Sequence, residues 1–389
     1  MPLEALPPRP GHGMTAEFNL ENFHQTIDVE PQEPRPLRIL PAEWAPQSAI
    51  LISWPHAETD WADILDEVTE CYVRMAYAIA AHQPLIVLVV EGLDVSSLLE
   101  KRLPQAVFSN ITFVVVPKTN DTWVRDYGFL TVQSTGGAEL MDFRFNGWGG
   151  KFKAEHDNAA NRLLFETQLL RGHYVDALDF ELEGGGIDSD GCGTLLTTAE
   201  CLLNPNRRRQ GDAVPTPDKA QVEALLKERL GVERILWLHH GYLAGDDTDS
   251  HIDTLARLCP NDTIIYVQCT DTADEHYEAL AAMEQELQAF RTLEGKPYRL
   301  ISVPLPDACY DEEERLPATY ANFLIMNKVV LVPTYAQPEK DALALKNIQK
   351  AFPEREIIGV DCRALIRQHG SLHCATMQFP REVFRTPVQ

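Results

Sequence analysis

The sequence has 389 residues, of which 44% are hydrophobic, so it can form one large domain or two ordinary ones around a substantial core. Its 58 acidic and 34 basic side chains give a formal net charge of −24, which argues against nucleic acids and anionic membranes as partners and favours a cationic ligand. No stretch approaches the roughly 18 uninterrupted apolar residues of a membrane span, and the N-terminus lacks the basic start and apolar run of a secretory signal, so we expect a soluble cytoplasmic protein.

Residues 1–39 are rich in proline and poor in apolar clusters, which predicts a poorly ordered leader. Residues 40–389 contain no linker-like segment, and we predict a single domain there. In this domain short β-branched runs alternate with amphipathic stretches, a pattern that predicts an α/β fold. The predicted buried strands are 50–52, 85–90, 111–116, 235–238, 264–267 and 329–332. The predicted helices are 61–81, 274–290 and 341–351.

Two further pairs of strands follow each other without a helix between them. They are 129–132 with 140–145, and 323–326 with 329–332, the latter joined by a turn at Asn327-Lys328. Such pairs do not suit a purely parallel doubly wound sheet. The units recur at intervals of roughly 60 to 70 residues, which indicates a degenerate structural repeat.

The cysteines are dilute, and no two have the C-x-x-C spacing of zinc or redox sites. We therefore expect a reducing compartment, no disulfide framework and no structural metal. No glycine loop of the phosphate-binding types is present, so no cofactor is expected either. The eight cysteines are Cys71, Cys192, Cys201, Cys259, Cys269, Cys309, Cys362 and Cys374.

Cys374 differs from the other seven cysteines, which we interpret as small core residues. It follows Gly370 in a stretch of small residues, and this composition is typical of a tight, solvent-accessible turn. A thiol needs a neighbouring imidazole or cation to be a good nucleophile near neutral pH. His251 offers an imidazole, and it lies with Asp253 in a loop rich in glycine and aspartate. Cys374 and His251 are therefore a candidate nucleophile and base.

Two acidic motifs could complete such a site. Glu183 precedes three glycines, which let the backbone come close to a ligand; an ordinary glycine turn with an exposed glutamate is the alternative. Trp123 and Asp126 follow the predicted strand 111–116, where a loop would carry site residues. An indole beside a carboxylate suits a planar cation, although a core tryptophan beside a solvated ion pair would give the same pattern.

These motifs occur in a fixed order with others: Leu40-Pro41-Ala42-Glu43-Trp44, Trp54-Pro55-His56, Asn120 to Asp126, Phe145-Asn146-Gly147-Trp148-Gly149, Leu182 to Gly185, Gly245 to Asp253, and His373-Cys374. In this order they resemble agmatine deiminase (agmatine iminohydrolase) and the related bacterial peptidylarginine-deiminase-like proteins of the guanidine-modifying, or pentein, superfamily. The resemblance runs from Leu40 to Phe379, nearly everything except the leader. It implies a five-bladed pseudosymmetric α/β propeller built from ββαβ modules around a polar channel.

The resemblance also implies a role for each site residue. Cys374 would be the nucleophile, His251 the general acid and base, and Asp126 and Asp253 the carboxylates that hold the guanidinium nitrogens. Glu183 would steady His251 and the end of the substrate. Trp123, Trp148 and Gly185 would complete the substrate site. No metal or organic cofactor takes part, and the resemblance indicates a homodimer or larger assembly.

The implied reaction is hydrolysis of agmatine to N-carbamoylputrescine and ammonia through a covalent cysteine intermediate, a step of putrescine and polyamine biosynthesis. Familiar agmatine deiminases carry a longer glycine run and an asparagine before the His-Cys pair, whereas this chain has His369-Gly370-Ser371-Leu372, so the edge of the pocket differs. The alternatives are a deiminase for peptidyl-arginine or another guanidino compound, an amidino transferase, and an inactive polyamine-binding relative. A cysteine protease is disfavoured, because three carboxylates would oppose its oxyanion.

Overall fold

The computed structural model describes residues 37–207 and 218–385, so the predicted leader lies outside the described residues except for its last three. No helix in the described ranges has the length and apolar character needed to cross a membrane. Three short 3-10 helices occur, at Ala62–Ile64, Gly184–Gly186 and Ile252–Thr254. The α-helices are α1 (Leu65–Ala80), α2 (Val95–Arg102), α3 (Gln105–Phe108), α4 (Val124–Tyr127), α5 (Gly147–Gly150), α6 (Glu155–Glu166), α7 (Ala199–Leu202), α8 (Lys219–Leu230), α9 (Tyr277–Ala289), α10 (Pro338–Gln349) and α11 (Arg363–Ile366).

The strands are short and spread over the whole described chain. They are β1 (Arg38–Ile39), β2 (Gln47–Ser53), β3 (Leu85–Val90), β4 (Ile111–Val116), β5 (Leu130–Ser134), β6 (Gly137–Arg144), β7 (His173–Glu181), β8 (Ile187–Ser189), β9 (Thr194–Thr198), β10 (Arg234–Leu238), β11 (Ala256–Cys259), β12 (Thr263–Gln268), β13 (Arg299–Pro304), β14 (Cys309–Asp311), β15 (Glu314–Leu316), β16 (Leu324–Ile325), β17 (Val329–Thr334), β18 (Glu356–Asp361) and β19 (Met377–Pro380).

Five sheets share one pairing pattern, in which a central strand has an antiparallel neighbour on one side and a parallel neighbour on the other. Their orders are β19-β2-β3-β4, β1-β5-β6-β7, β8-β9-β10, β11-β12-β13 and β16-β17-β18. Strands β14 and β15 form a separate hairpin. The expectation of a mixed α/β fold is confirmed, and so are both predicted strand pairs, β5-β6 and β16-β17, which the structure shows to be antiparallel.

The hydrophobic pattern located several strands well because they are continuous apolar runs. Strands β3 and β4 have the predicted bounds, and the predicted helix 61–81 consists of Ala62–Ile64 followed by α1. Residues 50–53 at the end of β2 are entirely buried, as is nearly all of β3, which explains their continuous apolar sequence. Strand β19 pairs with β2 from more than 300 residues away. This pairing joins the segment after Cys374 to the first sheet.

The guanidinium of Arg257 in β11 is buried in the core. It donates to Asp188 in β8, to Glu43 and to the carbonyl of Phe323, at 3.1, 2.5 and 2.6 Å. Burial lowers the pKa of Arg257, but Glu43 and Asp188 raise it more, so that the pKa ends above its ordinary value. The guanidinium therefore stays charged and ties two sheets to the segment before β2.

We predict that Arg257→Met will lower the free energy of unfolding by about 3–5 kcal/mol, because it leaves two buried carboxylates without their cation. Urea denaturation followed by circular dichroism measures this loss. The matched control is Arg102→Met, which removes an exposed pair with Glu70 and should cost far less. Equal losses in the two variants would contradict the assignment of Arg257 as a central ion.

Candidate active site

The sequence-predicted catalytic residues lie in four loops at strand ends. Asp126 is in α4 after β4, Glu183 follows β7, His251 and Asp253 lie between β10 and β11, and Cys374 precedes β19. These loops contact one another: α4 packs on the turn after β7, and that turn packs on the loop between β10 and β11. The structure therefore brings all five residues together, and each has at most 5% of its surface exposed.

Cys374 is less exposed than the sequence predicts, at 5%, because its turn is covered by other loops. A Cβ at Gly370 would lie 2.5 Å from the indole of Trp123, so only glycine allows this close packing. The side chain of Asn322 donates to Cys374 Sγ over 3.3 Å and accepts from the backbone nitrogen of Cys374. Burial raises the pKa of the thiol well above its ordinary value, and the charges of Asp253 and Asp126 raise it further. Both effects favour the thiol over the thiolate.

Asp126 is fixed by two donors. Its Oδ1 accepts from the backbone nitrogen of Gly185 and its Oδ2 from Trp148 Nε1, both at 2.9 Å. Trp148 reaches Asp126 from α5. The backbone of Trp148 has φ 55° and ψ 48°, so this segment is a left-handed turn and not a regular helix. Burial raises the pKa of Asp126 to about 6. The carboxylate is thus oriented by the protein and is poorly solvated.

His251 has no exposed surface, and neither of its ring nitrogens has a hydrogen-bond partner among the described residues. Nδ1 lies 3.6 Å from Asp126 Oδ1. Burial lowers the pKa of His251, but Asp126, Cys201 and Glu183 raise it more, and the net pKa is well above the ordinary value. A Cβ at Gly185 would lie 2.6 Å from Nδ1, so the glycine leaves space beside the ring. His251 is therefore a buried acid with unused donors.

Glu183 is held by a cation that the sequence did not reveal. Arg207 donates from Nε to Glu183 Oε1 over 2.7 Å, and its other nitrogens bind Asp249 and the carbonyl of Thr248. Glu183 Oε2 has no hydrogen-bond partner within the described part of the chain. Arg207 thus fixes one carboxylate oxygen and leaves the other directed at the site. It also ties Glu183 to the loop that carries His251.

Asp253 is bound on one oxygen only. Its Oδ2 lies 2.7 Å from His373 Nδ1 and 3.7 Å from Cys374 Sγ, whereas its Oδ1 has no partner among the residues described. Burial raises the pKa of Asp253, but the hydrogen bond and charge of His373, followed by His251 and Arg257, lower it below the ordinary value. Asp253 is therefore ionised and keeps one free oxygen next to the thiol.

A narrow cleft of about 30 Å³ leads to Cys374. Aromatic side chains of Trp123, Trp148 and Phe152 line it, together with the carboxylates of Asp60, Asp121, Asp126 and Asp247. Burial raises the pKa of Asp121 to about 6. A larger cavity of about 390 Å³ lies near Cys269 and Lys340, but it contains none of the candidate catalytic residues, so we assign the chemistry to the cleft.

Sequence reasoning missed four residues of the site. Asn322 and Arg207 are single polar residues in loops, and no spacing or composition marks them. Glu43 and His373 belong to short motifs that carry the family resemblance, but the motifs alone gave them no role. The roles of Glu43 and His373 depend on contacts between segments that are more than 200 residues apart.

Among the described residues, one group of side chains could hold a metal ion. Ligand atoms of Glu183, Cys201 and His251 all lie within 4.8 Å of one another. The guanidinium of Arg207 already binds Glu183 and lies 3.8 Å from Cys201 Sγ. This cation opposes a second positive charge, so the cluster fits a metal ion poorly.

We predict that Cys374 reacts slowly with a small neutral alkylating reagent at pH 7 and faster as the pH rises, because its raised pKa keeps the thiolate scarce. Asp253→Asn should lower this pKa and increase the rate at pH 8 about three- to tenfold. Peptide mass spectrometry measures the rate. Exposed Cys192 in the same sample is the control and should react equally in both proteins. A slower or unchanged reaction of Cys374 in the variant would refute this electrostatic description.

Comparison with known proteins places this geometry in a family. The model of the Porphyromonas-type peptidyl-arginine deiminase family matches residues 39–380. The agmatine deiminase of Stutzerimonas stutzeri is 31% identical over 371 residues, which cover 89% of this chain and 96% of that protein.

Solved structures agree with this comparison. A Porphyromonas gingivalis protein described as a "Putative Arginine Deiminase" is 49% identical, with a TM-score of 0.82 over 90% of this chain and all of that one. A C. jejuni agmatine deiminase with substrate bound is 36% identical, with a TM-score of 0.78 over 92% of this chain and all of that one. The chain is thus similar over about nine tenths of its length to proteins named for guanidine substrates.

Proposed function

We propose that this chain, which belongs to the Porphyromonas-type peptidyl-arginine deiminase family, hydrolyses the guanidinium group of agmatine to N-carbamoylputrescine and ammonia through a covalent intermediate on Cys374. One observation carries the proposal: four buried polar atoms of the candidate catalytic residues have no hydrogen-bond partner among the described residues. They are Glu183 Oε2, Asp253 Oδ1 and both ring nitrogens of His251. Buried polar groups are rarely left unsatisfied, so this arrangement indicates a polar ligand.

The ligand that fits is a planar cation with several N–H donors. Asp126 and Asp253 face the thiol from two loops, and both accept hydrogen bonds in the charged state. A guanidinium between them would place its central carbon within reach of Cys374 Sγ. Positive charge is then a condition of binding, because a neutral ligand would leave the buried carboxylates uncompensated.

Substrate binding would also activate the nucleophile. In the empty site burial, Asp253 and Asp126 keep the pKa of Cys374 high. A guanidinium bound by these carboxylates neutralises their effect and places a positive charge next to sulfur, so the pKa of the thiol falls. The thiolate forms when there is a substrate to attack, which protects the free enzyme from unwanted reactions.

His251 would then move the protons of the reaction. The thiolate attacks the guanidinium carbon, and protonated His251 gives its hydrogen to the departing nitrogen, which leaves as ammonia. The neutral imidazole next takes a proton from water, whose oxygen attacks the carbon of the thiouronium intermediate. The C–S bond of the resulting tetrahedral adduct breaks, its hydroxyl group loses a proton to solvent, and the neutral ureido product and the Cys374 thiolate are released. Glu183, fixed by Arg207, stabilises the positive charge on His251.

The cleft favours agmatine over arginine as the substrate. Its mouth carries Asp60, Asp121 and Asp247, and among the described residues that line it there is no lysine or arginine. The ammonium end of agmatine is attracted by these carboxylates, whereas the free carboxylate of arginine is repelled. A peptidyl-arginine substrate lacks that free carboxylate, but its peptide chain is too bulky for the narrow cleft.

The same proposal includes the finer architecture. We propose that the five sheets with their common pairing pattern are the blades of a pseudosymmetric propeller, and that residues 40–389 form a single catalytic domain. The described residues fall within one compact unit, 36–389, which supports the domain assignment. The family resemblance further suggests a cytoplasmic homodimer that needs no cofactor and has no nucleic-acid or membrane partner.

We predict that the wild-type protein releases ammonia from agmatine and that Cys374→Ala lowers kcat by at least about 10⁴-fold, because the covalent route is lost. An ammonia assay with agmatine, free arginine and a blocked arginine peptide, each in the absence of an acceptor amine, measures both points. The control is Cys192→Ala, which removes an exposed thiol and should leave the rate unchanged.

Each alternative has its own outcome in this assay. Ammonia from arginine or from the peptide, and not from agmatine, would keep the chemistry and overturn the proposed substrate. Turnover that needs an added amine would indicate amidino transfer. An intact, folded wild-type protein that binds agmatine without releasing ammonia would support a binding protein and contradict the proposed hydrolysis.

A further inference from the structure

His373, the residue before the candidate nucleophile, is not used in any step above. It is 2% exposed, and its ring spans two carboxylates. Nδ1 lies 2.7 Å from Asp253 Oδ2, and Nε2 lies 2.7 Å from Glu43 Oε2. At such a distance an imidazole nitrogen donates its hydrogen to a carboxylate oxygen. Both ring nitrogens therefore carry hydrogens if both carboxylates are ionised.

The surroundings of Glu43 keep it ionised. Arg257 donates to its Oε2 over 2.5 Å, and the backbone nitrogen of Ile325 donates to its Oε1 over 2.6 Å. Burial raises the pKa of Glu43, but Arg257 and His373 lower it far below the ordinary value. A carboxyl group that only accepts hydrogen bonds has no hydrogen to share with His373. The ring is thus an imidazolium set between two carboxylates.

We propose that His373, as an imidazolium anchored by Glu43, is a positioning residue that keeps Asp253 ionised and directs its free Oδ1 at the guanidinium. The inference rests on the proposed function, since it concerns the same carboxylate and the same substrate group. Oδ2 is occupied by the ring, so the rotation of the Asp253 side chain is fixed and Oδ1 is the oxygen left for a ligand. Arg257 in turn binds Glu43, so that Arg257, Glu43, His373 and Asp253 form one continuous row of hydrogen-bonded side chains.

Other charges also act on Asp253, and they decide how large the effect is. His251 and Arg257 favour its ionised form, as His373 does. Asp126 and the thiol of Cys374, 3.7 Å away, are the neighbours that its negative charge opposes. The groups that face Asp253 or His373 are Glu43, Arg125, Asp126, Asp188, His251, Arg257 and Cys374. Two side chains donate to Oδ2 of Asp253: the ring of His373 over 2.7 Å and the thiol of Cys374 over 3.7 Å, so the bond from His373 is the shorter one.

The test is His373→Gln, which retains a donor but removes the charge. The pKa of Asp253 should rise in this variant. Asp253 and Asp126 must then each lose a proton before a guanidinium binds. At pH 6.5 we expect kcat/KM for agmatine to fall at least about tenfold, mainly through a higher KM. The deficit relative to wild type should shrink to about threefold or less at pH 9, where both carboxyl groups are ionised in either protein.

A matched control separates charge from structure. His276 is another buried imidazole, with Nδ1 2.7 Å from Asp274 and Nε2 accepting from the backbone nitrogen of Ala244. His276→Gln should cost similar thermal stability and leave the ratio of its kcat/KM to that of wild type independent of pH. A deficit in His373→Gln that is the same at pH 6.5 and pH 9 would overturn the proposal.

A second measurement needs no substrate, so it stands even if agmatine is not turned over. In the two-bond proton–nitrogen spectrum of the wild-type protein labelled with ¹⁵N-histidine, the His373 signals are assigned by their loss in His373→Gln. We expect both ring nitrogens to have imidazolium shifts at pH 7.5. A neutral His373 ring would overturn the proposal whatever the activity, whereas an imidazolium in a protein inactive towards agmatine would contradict only the proposed function.

Discussion

The burial of several carboxylates around one thiol is the constraint on which the rest of the site depends. Asp126, Glu183 and Asp253 are all at most 3% exposed, so none of them is stabilised by bulk water. Buried carboxylates would destabilise the fold unless cations and hydrogen-bond donors offset their loss of hydration. Three buried arginines help to meet this need: Arg207 binds Glu183, Arg257 binds Glu43, and the charge of Arg125 acts on Asp126 and Asp253. The carboxylate oxygens that have no partner among the described residues, Glu183 Oε2 and Asp253 Oδ1, are the groups that a guanidinium would satisfy.

This constraint connects recognition with reactivity. The charges that would hold a guanidinium also raise the pKa of Cys374, so the nucleophile is weak until the cation arrives. They likewise raise the pKa of His251, which therefore begins the cycle as an acid, as the loss of ammonia requires. In the proposed mechanism one set of charges thus orders the steps, and no separate conformational signal is needed to time them.

The sequence predicted those parts of the fold that depend on local pattern. Strands β3 and β4 were located to the residue because they are continuous apolar runs. Strand β7 was missed, because most of its residues are only partly buried or exposed. Its charged residues also interrupt the alternation of polar and apolar side chains that marks a strand. The pairing of β19 with β2 could not be predicted, because nothing in either segment encodes a partner so distant in the chain.

Prediction of the site followed the same division. Cys374, His251, Asp126, Glu183 and Asp253 lie in recognisable motifs, and the structure places them together. The residues that hold them, Asn322, Arg207 and Glu43, have meaning only through contacts across the fold. Burial also changed the interpretation of the nucleophile, which is enclosed and protonated where the sequence indicated an accessible turn.

The central claim is that sulfur of Cys374 attacks a guanidinium held by buried carboxylates. The most direct measurement is acid quench of the protein during turnover of agmatine, followed by peptide mass spectrometry. The account predicts an amidino adduct on the peptide that contains Cys374, present during turnover and absent once substrate is exhausted. Turnover with no adduct on that peptide, or an adduct on a different cysteine, would contradict it.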